Sequence, residues 1–165
     1  MFGFLLTDTS RLFRQYFERR VTENGVGLTP GEIRALGYVI RFRGSRQALL
    51  AEQMGVEPMT LSAYLDRLEA RDLIRRTTDA NDRRAKLIEP TDAAFAVMRE
   101  LDPLFGDIYQ HITRGVSEAE MEMIAASLRK IRANISGDPQ INKPFSLIDP
   151  CLRAEGIGAG ETKIG

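Results

Sequence analysis

Between residues 47 and 89 the apolar pattern passes through two helical stripes and then into two short strand-like runs, and this order restricts the fold more than any other feature of the chain. Residues 47–54 fit a short helix whose Leu49, Leu50 and Met54 can face inward, with Gly55 as its C-terminal stop. Pro58 suits the first turn of the next helix, which carries Leu61, Leu65 and Leu68 on one stripe and runs to about Arg71. Two helices joined by a tight glycine turn make a helix-turn-helix candidate. Residues 73–78 and 85–89 are rich in strand formers and flank the polar run Asp79-Ala-Asn-Asp-Arg-Arg84, which predicts a hairpin standing off the helices as a wing.

Longer helices flank this unit. From Leu5 to Val21 apolar residues recur at three- and four-residue steps between arginines, and residues 23–27 break the pattern. Thr29-Pro-Gly-Glu32 supplies an N-cap, a proline for the first turn and a glutamate that reaches back, so a second helix is predicted from about Pro30 to about Phe42. Thr91 can cap another long helix carrying apolar residues from Ala94 to Ile112, with a kink or break near residues 99–101 imposed by Pro103. A second capping box, Ser117-Glu-Ala-Glu120, opens a last helix with Met121, Ile124, Leu128, Ile131 and Ile135 on its apolar face. The expected fold is therefore mainly α: a winged helix-turn-helix at about 30–90, with a small β-hairpin wing and long dimerisation helices at about 4–22 and 92–136. Those terminal helices carry more apolar face than a small domain can cover alone, which points to a homodimer.

Residues 137–165 differ in composition, with Pro139, Pro144 and Pro150 and the glycine-rich run Gly156-Ile-Gly-Ala-Gly160. An irregular tail is expected there. Its Phe145, Leu147 and Ile148 leave two readings open, flexible chain or a segment docked on the body or on a partner subunit.

With Lys plus Arg and Asp plus Glu at 23 each in 165 residues, global charge says nothing for nucleic acid, so such a reading must rest on local charge. One cysteine, Cys151, and one histidine, His111, give no disulfide framework, no metal-ligand spacing and no nucleophile–base pair. Neither a cofactor nor an enzymatic activity is expected. No stretch approaches the roughly 20 apolar residues of a membrane span, and a reducing cytoplasm is the expected home.

On the helix from Pro58 the leucine stripe leaves Met59, Ala63, Asp66 and Arg67 on the opposite side, with Thr60 and Tyr64 at one flank and Ser62 at the other. Pro58, Met59, Thr60, Ser62, Ala63, Tyr64 and Arg67 thus form a face suited to the DNA major groove. From Arg71 to Lys86 six basic residues, among them Arg75, stand against three acidic ones. Arg83 and Arg84 at the hairpin tip can enter a minor groove, while Asp82, which would repel phosphate, is expected to orient an arginine or tie the wing to the domain. Phe13, Tyr16, Phe17 and Tyr38 are candidates for a small-molecule pocket, although core packing accounts for most of them.

The run Gly55-Val-Glu-Pro-Met-Thr-Leu-Ser-Ala-Tyr-Leu-Asp-Arg-Leu-Glu-Ala-Arg-Asp-Leu-Ile-Arg-Arg, followed by Asn81-Asp-Arg-Arg-Ala-Lys-Leu, resembles the MarR family of bacterial regulators, particularly its SlyA-like branch. Leu28-Thr-Pro and Gly115-Val-Ser-Glu-Ala-Glu fall into the same pattern in order, so the resemblance spans about Leu5 to Ile135. It implies a winged-helix homodimer assembled through its first and last two helices, binding pseudo-palindromic double-stranded DNA and sensing small aromatic or lipophilic compounds. One departure stands out. Where SlyA-like relatives carry an arginine in the recognition helix, this chain has Ala63, which removes a bidentate base contact. Two other classes compete, an enzyme and a protein-interaction module on a degenerate winged helix, and steep salt dependence of duplex binding separates the regulator from both.

Overall fold

The structure, a computed structural model, describes residues 1–25 and 27–142. Helix α1 (Phe2–Asn24) starts earlier than its apolar periodicity indicated and ends where Gly25 takes the left-handed conformation at φ 58°. In α2 (Pro30–Arg41) both halves of the expected capping box form, with the Thr29 side chain accepting from the Glu32 amide and the Glu32 carboxylate accepting from the Thr29 amide. The short α3 (Gln47–Met54) stops at left-handed Gly55, and α4 (Pro58–Ala70) follows after two further residues.

Strands β2 (Ile74–Thr78) and β3 (Lys86–Pro90) pair antiparallel as the hairpin, with Thr78 opposite Lys86 and Ile74 opposite Pro90. A third strand, β1 (Ser45–Arg46), was not expected. It adds to the other edge of β3, giving the order β1-β3-β2, so the base of the wing is stitched to the residues entering α3. Gly44, at φ 69°, turns the chain into this strand and donates its amide to the Ile88 carbonyl at 3.0 Å.

The long helix expected after Thr91 is two helices, α5 (Asp92–Glu100) and α6 (Asp102–Ile112), meeting at Leu101. Pro103 has no amide to give to the Arg99 carbonyl, which explains why the break falls there. Thr91 does not cap α5 through its side chain; its hydroxyl donates to the Asp72 carbonyl at 2.5 Å and its amide to the Leu73 carbonyl at 3.0 Å. Thr91 thus stands at the N-cap position of α5, as expected, while its polar groups close the turn after α4, where Asp72 holds a positive φ of 55°.

Helix α7 (Glu118–Ile135) opens on the second expected capping box, and α8 (Pro139–Asn142) is a single turn inside what was expected to be irregular tail. The docking alternatives for Phe145, Leu147 and Ile148 concern residues outside those described. The core lies under the helix-turn-helix, where Leu36, Val39, Leu50, Leu61, Leu65, Leu68 and Ile88 are completely buried. The leucine stripe of α4 sits in this core and so fixes which of its faces looks outward.

Candidate nucleic-acid interface

The N-terminal turn of α4 presents Pro58, Met59 and Thr60 to solvent, Met59 at 85% exposure, and Ala63 lies open one turn further on. Ser62 is half-buried. Tyr64 is half-buried, and its ring packs into the seam with α2 over Gly31, where an added Cβ would overlap the phenol. Arg67 is engaged within the domain too, its Nε donating to Glu32 Oε1 at 2.5 Å. Glu32 is only 5% exposed, and between the Thr29 amide and this guanidinium its carboxylate is fully satisfied. Part of Arg67 remains open to solvent, so the same residue braces α2 against α4 and keeps charge on the outer surface.

The basic residues of the hairpin divide into two groups. Arg76 is mostly buried and pairs with Asp66 Oδ1 at 2.7 Å and Glu69 Oε2 at 2.5 Å, locking the first wing strand to α4. Arg71 donates to the Gly27 carbonyl, and Lys86 Nζ donates across the hairpin to Thr78 Oγ1 at 3.0 Å. Arg75, Arg83 and Arg84, by contrast, are exposed and form no side-chain hydrogen bond or ion pair among the described residues. Within the hairpin, the positive charge left for an outside partner is that of Arg75, Arg83 and Arg84.

The wing tip is an ordered turn. Asp82 accepts the Arg84 amide at 3.1 Å through Oδ1, a contact on the backbone that carries Arg84. The firmer tie to the body is one the sequence reading missed: Arg46, from β1, donates through Nε and Nη2 to Asp79 Oδ2 at 3.0 and 2.7 Å, with Asp82 Oδ2 3.7 Å from its Nη1. Asp79 Oδ1 accepts the Asn81 amide at 2.8 Å. That amide first, and the Arg46 guanidinium next, hold the Asp79 carboxyl below the usual carboxylate range. An Asp two residues before an Asn at the start of a polar tip is the local signal of such a turn, but nothing local points to Arg46.

Between α1, α2, α5 and α6 lies an apolar cavity of about 480 Å³. Phe13, Phe17 and Tyr38 line it, and Arg14, Arg34 and Arg41 stand at its polar positions. Tyr16 does not line it. Its ring stacks on His111 at 4.7 Å between centroids, and Arg20 Nη1 donates to its hydroxyl at 3.2 Å. The lone histidine thereby has a packing role.

A family model described as the MarR family matches residues 26–85, the stretch holding the helix-turn-helix and most of the wing. Over 84% of this chain and the whole of the other, the structure is similar to that of the transcriptional regulator PA3341, at 32% identity and a TM-score of 0.66. The chain belongs to the MarR family of transcriptional regulators. A MarR-family regulator from Silicibacter pomeroyi is 27% identical with a TM-score of 0.68, covering 83% of this chain and 91% of that one. A mutant S. aureus MepR bound to an oligodeoxyribonucleotide is 25% identical with a TM-score of 0.51, covering 82% and 99%. In this MarR-family chain the helix-turn-helix is α3 and α4, and β2 and β3 form the wing. Of the residues expected to meet DNA, the structure leaves Pro58, Met59, Thr60, Ala63, Arg67, Arg75, Arg83, Arg84 and Lys86 exposed, with Ser62 and Tyr64 half-buried.

Proposed function

We propose that this MarR-family regulator works as a SlyA-like homodimer in the cytoplasm, with α4 of each subunit in the major groove of a pseudo-palindromic operator and each wing in the flanking minor groove. The observation that carries the reading is the division of basic residues just described. Arg71, Arg76 and Lys86 hold the fold, while Arg75, Arg83 and Arg84 have no internal partner among the described residues and stand on an ordered hairpin fixed to α4. Arginines so placed suit phosphates and a narrow groove, and the open Thr60 suits base edges. With Ala63 in place of a long donor, base reading falls to Thr60, Ser62 and their neighbours.

The dimer is supported by apolar side chains that the described chain leaves open on α1 and α7, among them Leu5, Leu12, Met123, Ile124 and Leu128. The working division is a regulator body at 1–136 and a tail from 137. The cavity beside Phe13, Phe17 and Tyr38 suits a small aromatic or lipophilic effector, which would act by binding one spacing of the paired α4 helices better than another. Selection of bound duplexes from a random pool, followed by footprinting, tests the proposal. The expected result is an inverted repeat with half-sites about one turn, roughly 34–36 Å, apart. Recovery of no duplex above background at low salt would overturn it.

A further inference from the structure

The large apolar side chains that stand open to solvent are unevenly placed. Almost all belong to α1, α6, α7 and the residues beside them, whereas between Thr29 and Pro90 the one exposed example among the described residues is Met59. A surface helix ordinarily turns charged or polar groups to water and keeps its apolar residues for the core. Helix α4 obeys this rule with Leu61, Leu65 and Leu68, all buried, and breaks it at its outer start. There Pro58, Met59 and Ala63 are exposed, and Thr60 between them adds a methyl group to its hydroxyl.

The same stretch lacks the side chains that read most bases. From Glu57 to Asp66 there is no arginine, lysine, asparagine or glutamine. Glu57 can only accept a hydrogen bond, Asp66 is paired with Arg76 at 2.7 Å, and the Tyr64 ring is turned onto Gly31. Arg67 stands two turns beyond Met59 with its Nε on Glu32. Guanine offers two acceptors in the major groove and asks for two donors, and adenine asks for the donor and acceptor of an amide side chain. The start of α4 has neither to give.

The one feature of a base edge that an apolar side chain meets is the C5 methyl of thymine. We propose that Met59 and Ala63 read thymine methyl groups, so that each operator half-site is chosen for thymines beneath the first turns of α4. The inference rests on the proposed placement of α4 in the major groove and adds to it the chemistry of the half-site. Met59 and Ala63 lie on one face of the helix, about 6 Å apart along its axis, and stacked base pairs are about 3.4 Å apart. The two methyls therefore belong to thymines no more than about two steps from one another. An unbranched thioether adapts its shape to such a partner, and the contact removes apolar surface of both groups from water. Cytosine, with hydrogen at C5, offers no such surface.

The test uses the full chain and the duplex that it recovers from a random pool, remade with deoxyuridine in place of one thymidine at a time. That exchange deletes the C5 methyl and leaves the pairing edge intact. At one or two positions of a half-site affinity should fall about fourfold, and about sixteenfold when both half-sites are changed, as expected for the loss of one methyl-sized contact each. Met59→Ala should bind the thymidine duplex more weakly, ignore deoxyuridine at one of these positions and still respond at the other, while Met59→Leu should regain the lost response. Because Met59 is 85% exposed, both variants should unfold at the same denaturant concentration as the unaltered protein. Replacing Arg83 and Arg84 by alanine should lower affinity and leave the response to deoxyuridine unchanged. Equal affinity for thymidine and deoxyuridine at every half-site position, in a duplex that is still bound, overturns the methyl reading and leaves operator binding standing. A response undiminished at all positions in Met59→Ala overturns it as well. Binding to no duplex at all would remove the operator reading, and this inference with it.

Discussion

The helix-turn-helix and the helices around it follow opposite packing rules. In α2, α3 and α4 each apolar stripe ends in a shared core, with Leu36, Leu50, Leu61, Leu65 and Leu68 fully buried. In α1 only Val21 is buried, and in α7 no residue is. One region closes its apolar surface within itself, whereas the other, among the described residues, leaves its apolar face open. The difference separates residues that hold the fold from residues left for contacts beyond it.

The largest expected effect tests the closed region. Leu65→Ala removes a completely buried side chain whose surroundings are held by two capped helices and a sheet, and it should cost about 2–5 kcal/mol in chemical denaturation. Leu5→Ser, at an exposed position of α1, should leave the stability of the monomer nearly unchanged and weaken the dimer by about tenfold, ~1.4 kcal/mol, in sedimentation equilibrium. Equal losses of monomer stability in the two variants would break the contrast.

Wing and recognition helix offer a finer version of the same comparison, between residues that hold the fold and residues left free to act. Replacing Arg83 and Arg84 together by alanine should weaken binding to specific and unrelated duplexes alike and flatten the salt slope by up to ~2, at about 0.9 per lost phosphate contact. Thr60→Ala should instead change which operator is chosen, by on the order of 1–3 kcal/mol in discrimination. Neither set touches the core, so circular dichroism should not change. An unaltered salt slope in the double variant would remove the wing from the interface.

What could be read in the sequence follows the distance over which each feature is determined. Both capping boxes, the Gly55 stop and the hairpin depend on residues within a few positions of one another, and all formed as the spacing required. Thr91 had the right chemistry for a cap, but the Asp72 carbonyl, near it only once β2 and β3 have paired, took its hydroxyl. The leucine stripe places Tyr64 at a flank of α4, and it is Gly31, on another helix, that leaves room for its ring against α2. The Tyr16–His111 stack and the Arg46–Asp79 pair join residues far apart in the chain. The two-residue β1 is too short to have any period at all.

The smallest predicted effect concerns that long-range pair, and it asks whether the wing belongs to the closed region or to the open one. Asp79 lies at the root of the wing tip with its side chain 11% exposed, whereas Arg46 is half open to water. Because the Asn81 amide and Arg46 lower the folded-state pKa of Asp79, ionised Asp79 favours the native arrangement. Its contribution is fully present above the ordinary carboxylate pKa and is lost as pH falls through the lowered folded value. Near neutral pH the clasp is therefore intact, and a mild change there should do nothing. In acid it should open, and because β2 and β3 remain joined by their backbone ladder, only the tip should loosen. Amide exchange at Asn81, Arg84 and Ala85, extrapolated to a common intrinsic rate, should then rise in acid for the unaltered chain. Arg46→Ala should show that faster exchange at neutral pH, Arg46→Lys should restore part of the protection, and neither should disturb amides in the core of α4. Duplex affinity of Arg46→Ala should fall by less than that of the double arginine variant, since Arg83 and Arg84 keep their charge and lose only their fixed position. If the tip amides exchange identically in Arg46→Ala and the unaltered protein, Asp82 and the hairpin ladder suffice to order the wing, and the Arg46–Asp79 pair has no part in presenting its arginines.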